Sequence, residues 1–154
     1  MITVNEKEHV FHLHNGRISY LFYVMDSGQL GHLYFGKELR AGGSYLHMVE
    51  KAHRPMTTYI TEGDLYTSYE HLRQEYPVYG TSDYRYPALE VLGLDGSTLC
   101  KLEYQGCEII QGKKPLPGLP ATYVEEEGEA ETLEIRMLDQ WRGLEAVLSY
   151  TIFR

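Results

Sequence analysis

Three histidines near the start of the chain, His9, His12 and His14, raise metal chemistry first. The pair His12-x-His14 places two imidazoles on one face of an extended segment. A zinc site needs at least three protein ligands, and no spacing here supplies a third, so the three are read as polar residues of an amphipathic strand. Six residues separate Cys100 from Cys107. That spacing suits a hairpin cross-link, but neither has a C-x-x-C neighbour and a reducing compartment keeps thiols free, so neither a disulfide nor a metal or redox site is expected. Six glutamates crowd residues 125–134 without the alternating Asp/Asn and fixed Gly of a calcium loop. They read as an exposed, solvated hairpin. No nucleophile elbow and no phosphate-binding glycine loop occurs. No cofactor is implied.

The stretch QEYPVYGTSDYRYPALEV (74–91) concentrates four tyrosines around an acid and a base. Gly80 permits a tight turn, and Pro87 holds Tyr86 extended. Asp83 can accept from following backbone N–H groups, and Arg85 has the planar fork that grips a carboxylate or carbonyls. These four residues are expected to make an architectural corner, with direct sugar contact as the competing reading, since tyrosine rings suit stacking and cores alike.

The elements that must position these residues are short and β-like. HVFHLH (9–14), ISYLFYVMD (18–26) and QLGHLYFG (29–36) follow one another with turns between. ALEVLGL and STLCKLEY (97–104) flank Asp95-Gly96, a strong hairpin signal. CEIIQG (107–112), ETLEIRML (131–138) and LEAVLSYTIF (144–153) complete eight expected strands. Residues 37–64 read as a loop carrying a short strand at TTYIT (57–61), and 112–124 as a second irregular segment. The one helical signal is a capping box, Thr67 to Glu70, which Pro77 must terminate, so at most one short helix is expected near 67–74. The result is a single all-β domain, an antiparallel sandwich.

Bulk composition narrows the class. The chain has 154 residues, 43% hydrophobic and 23% charged, with a formal net charge of −8. That balance repels phosphate backbones, so nucleic acid is not an expected partner. No apolar run is long enough for a membrane helix, and no leader pattern opens the chain, which points to the cytoplasm. The chain stops at Arg154 straight after an apolar run, which suggests a piece of something longer.

The strings QEYPVYGTSDYRYPA, LPGLPATYVEEEGEAETLEI and FHLHNGRISYLFYVMDSGQLGHLYFGK resemble the N-terminal domain of bacterial family 36 α-galactosidases. The likeness covers nearly the whole chain and is weakest over 41–64. It implies a β-super-sandwich of the galactose-mutarotase-like type, placed before a catalytic (β/α)8 barrel that these residues do not include. It also implies a retaining enzyme that removes terminal α-galactose from melibiose and raffinose-type sugars, with both carboxylates in the barrel, about 5–5.5 Å apart. Such enzymes form tetramers in which a loop, here about 41–66, reaches a neighbour's substrate mouth. Relatives carry an Asp and an Arg there; Glu50, His53, Arg54 and Asp64 are the candidates in this sequence. The chain's own role is then to shape the oligomer and the substrate mouth. The alternative is an independent carbohydrate-binding or protein-interaction module, because sandwiches host many functions.

Overall fold

The computed structural model describes residues 1–53, 60, 62–69 and 71–154. Two antiparallel sheets stack face to face. The first runs in chain order, β1 (Ile2–Asn5), β2 (Val10–His14), β3 (Ile18–Val24), β4 (Leu30–Lys37). The second is β5 (Glu103–Gln111), β6 (Ala130–Asp139), β7 (Leu144–Phe153), with β6 in the middle. Phe11, Leu13 and Phe22 from the first sheet meet Leu133, Ile135 and Ile152 from the second in one buried cluster. The Phe22 and Tyr150 rings stack across the gap at 4.7 Å. The period-two alternation of each strand aims one face at this core. The expected all-β antiparallel sandwich is therefore the fold.

Among the described residues the only helical elements are two 3-10 turns, Leu46–Met48 and Glu127–Glu129. Near 67–74 there is a single turn, with the Leu72 N–H on the Ser68 carbonyl at 3.3 Å. Glu70 of the capping box, and the strand expected at 57–61 apart from Ile60, lie outside the described residues.

The structure adds a terminal strand, β1, in which Ile2 and Val4 alternate with polar residues, and it corrects three expectations. The Asp95-Gly96 turn forms, Gly93 and Ser97 bonding at 2.9 Å, but no ladder extends from it. Its backbone groups are spent elsewhere. Arg142 takes the carbonyls of Leu99 and Ser97, Asp139 takes the Lys101 N–H at 2.9 Å, and the Cys100 N–H reaches Tyr79. Only Glu103 and Tyr104 of STLCKLEY are in a strand, and they run on into CEIIQG as β5, with a register shift between Tyr104 and Gly106, whose φ is 156°. Cys100 precedes β5, Cys107 lies within it, and both are free. The glutamate run is no hairpin: its first half is exposed and its second half enters the central strand β6.

His12 and His14 depart from the solvated-face reading. All five residues of β2 are buried, with His12 only 3% exposed and bonded to Ser19 Oγ at 2.8 Å. Burial, then the neighbouring His14 charge, lowers the His12 pKa to about 4. The unfolded chain binds the proton with a pKa near 6.5, so this stabilisation is complete above that value and is lost as pH falls towards 4. Thermal melts should therefore show a loss of up to about 3 kcal/mol from this residue over that window. The loss should be absent from His12→Gln; an equal slope in the variant would exclude His12 as its source.

Candidate functional site

The corner begins where residues 73–75 run beside β4. The His32 N–H bonds the Arg73 carbonyl at 2.7 Å, and the Glu75 N–H bonds Leu30 at 3.0 Å. The chain then turns back on itself. Val78 bridges Leu89 in parallel, and Gly80 and Asp83 exchange two backbone bonds of 2.8 and 3.0 Å around Thr81 and Ser82. Gly80 sits at φ 113°, with a Cβ position 2.9 Å from the Leu99 side chain, so a larger residue there meets both strain and a clash.

Asp83 is 2% exposed and is the hub. Its Oδ1 accepts from the Arg85 backbone N–H at 3.1 Å and from Nε at 2.8 Å. Its Oδ2 accepts from Arg85 Nη2 at 2.7 Å and from Gln74 Nε2 at 2.6 Å. Arg85 Nη2 also donates to the carbonyls of Tyr69 and Leu72, at 2.7 and 3.3 Å. Burial works to raise the Asp83 pKa, but the bonds from Arg85 and its charge outweigh it and hold the carboxyl below its usual value. Pro87 is half-buried, while Tyr86 is 87% exposed. Tyr79 and Tyr84 meet edge to face at 5.5 Å, and with Tyr86, Pro87 and Leu92 they line an open groove of about 670 Å³.

The turn itself is unusual. Thr81 and Ser82 have φ values of 49° and 71°, a left-handed pair without glycine. A two-residue turn with both central φ positive prefers Asn-Gly, and a non-glycine residue there costs of order 1 kcal/mol.

The described loop candidates lie near one another in the chain's long loop, His53 and Asp64 both contacting Tyr66. Glu50 is exposed and lies beside His32, His71 and Arg73. His53 is exposed and packs against the Tyr66 ring at 6.1 Å. Asp64 accepts from the Tyr66 N–H at 2.9 Å and lines a different depression with Lys51 and Thr67. Bonds from the Thr67 hydroxyl and then the Tyr66 N–H lower its pKa. Arg54 lies outside the described residues.

One cluster escaped sequence reasoning. Glu75, with its side chain 4% exposed, accepts from Tyr20 at 2.6 Å, His32 Nδ1 at 2.7 Å and Tyr150 at 3.3 Å. It joins β3, β4 and β7, and so clasps the two sheets together. A Glu beside an aromatic, as in QEYP, is too common a pattern to mark it. Among the described residues no group of three His, Cys, Asp or Glu could hold a metal ion.

Comparison with known proteins gives these features a family. The profile of the glycosyl hydrolase family 36 N-terminal domain matches residues 28–154. The α-galactosidase AgaA of Geobacillus stearothermophilus is 42% identical over 154 residues, which is 99% of this chain and 21% of that protein. Alpha-galactosidase 1 of Pediococcus pentosaceus is 41% identical, with 100% of this chain and 21% of its own length covered. The α-galactosidase from Lactobacillus brevis superposes with a TM-score of 0.92 at 31% identity, covering 99% of this chain and 20% of that one. The chain spans about a fifth of the curated relatives it matches. On that match the chain belongs to the glycosyl hydrolase family 36 N-terminal domain family.

Proposed function

We propose that this chain is the non-catalytic N-terminal domain of an α-galactosidase that removes terminal α-galactose from melibiose and raffinose-type sugars. Its partner in that reading is a catalytic barrel, and its tasks are to shape a homo-oligomer, taken as a tetramer, and the substrate mouth. The same reading takes the parent enzyme to be cytoplasmic. The observation that carries it is the match over residues 28–154 to proteins named as α-galactosidases, of which this chain makes up a fifth. Structures of one of them, AgaA, were solved with raffinose and with stachyose.

The state of the buried carboxylates supports a non-catalytic role. Retaining cleavage needs two carboxyl groups facing one cleft, one to attack and one to protonate. Asp83 and Glu75 each spend both oxygens on protein donors, and Asp139 spends its own on the N–H groups of Lys101 and Arg142. They fix the fold.

The expected result is that rigorously purified residues 1–154 hydrolyse no chromogenic α-galactoside, while a full-length relative assayed beside them does. Turnover that follows the chain through successive columns would overturn the non-catalytic reading.

A further inference from the structure

The strained Thr81-Ser82 turn does not face only its own corner. It forms one wall of a second cleft, of about 650 Å³, whose other described walls are the β3–β4 turn at Ser27-Gly28, the entry to β5, and the side chains of Ile60 and Tyr69. We propose that this cleft binds a neutral sugar, held through its hydroxyl groups by Ser27, Ser82, Glu103 and Gln105.

Three observations carry the proposal. The walls come preassembled, because the Tyr104 N–H donates to the Gly28 carbonyl at 2.8 Å and the buried Tyr69 hydroxyl meets Ser27 Oγ. A preformed concavity of this size is the usual form of a small-ligand site. The turn keeps two hydroxyl residues where its backbone favours glycine, and backbone strain beside a cleft is a pointer to function. A sequence under pressure only to turn would place glycine at position 82.

The chemistry of the lining selects the ligand. Asp26 and Glu103 are acidic, and among the described lining residues the cation, Lys101, holds Glu103 at 2.6 Å. That excess of acid disfavours phosphorylated or carboxylated ligands. Carboxylate and amide oxygens accept from sugar hydroxyls, and serine hydroxyls both donate and accept. The proposal concerns these residues alone and does not rest on the parent enzyme's activity.

The test is a titration of isotope-labelled chain with raffinose, followed by the backbone amide resonances. Saturable shifts are expected at Gly28, Ser82 and Gln105. Ser82→Gly should raise Tm by about 2–4 °C as strain is released, yet weaken raffinose binding about fivefold, the worth of one hydrogen bond. Glu103→Gln should weaken binding similarly with an unchanged far-UV spectrum. A merely structural turn would gain stability in Ser82→Gly without any change in binding. Absence of saturable shifts, wild-type affinity in either variant, or the same shifts with glycerol would each overturn the proposal.

Discussion

Arg85→Ala should lower the melting temperature of the chain by about 5–10 °C. The reason is what the substitution leaves behind. Asp83 is 2% exposed and takes both a side-chain fork and a backbone N–H from Arg85. Removing the guanidinium strands a buried carboxylate with Gln74 as its remaining side-chain donor, and releases the Tyr69 and Leu72 carbonyls. Breaking a fully buried pair costs about 3–5 kcal/mol. The Arg85 side chain is 48% exposed, so water recovers part of this and about 2–3 kcal/mol is the fitting figure. Arg85→Lys should recover only part of the loss, since an ammonium cannot make the planar two-toothed contact. Because the Asp83 pKa is depressed in the fold, its contribution is present above the unfolded carboxylate value and is lost as pH falls through the folded one. Wild type and variant should then converge in acid. An unchanged melting temperature, together with impaired turnover when the substitution is made in a full-length enzyme, would instead assign Arg85 to the substrate.

The corner was legible because its chemistry is local. Gly80, Asp83, Arg85 and Pro87 lie within eight residues, and an Asx turn, a fork and a pre-proline restriction are all short-range effects. Strands β3, β6 and β7 were legible for a similar reason, since a half-buried strand writes its period into the sequence. What failed depended on distant partners. The ladder expected at 97–102 is displaced by Arg142 and Asp139, some forty positions away, whose claim on those backbone groups no local pattern records. Glu75 meets its two tyrosines 55 and 75 residues away. His12 looked like a polar-face residue because alternation assigns faces but not solvent, and both faces of β2 are covered. The candidates Glu50, His53 and Asp64 come from a resemblance that is weakest where they stand, and no local pattern assigns any of them a role.

A second large effect is expected in alkali. Among the described residues, five tyrosines have pKa values raised by the fold. Burial is the leading cause in every case. Tyr23 and Tyr69 are pushed up to about 12, the first helped by Asp26 and the second by Glu103. Tyr20 and Tyr150 go higher, because each also faces the Glu75 carboxylate, and so does Tyr104, which bonds Cys107. A phenol whose folded pKa is raised stabilises the native state fully below its unfolded value, near 10, and loses that contribution as pH climbs through the folded value. Each such group adds a slope of at most about 1.4 kcal/mol per pH unit, and less where water reaches the ring, as it does for all of them but Tyr69. Set against a total stability of about 5–15 kcal/mol, the combined loss should unfold the chain in alkali. The five phenols should therefore stay silent in the 295 nm tyrosinate absorbance until the far-UV circular dichroism collapses, and then ionise together with it. A smooth titration of all fourteen while the β-sheet spectrum persists would show that the clasp between the sheets does not hold these rings out of water.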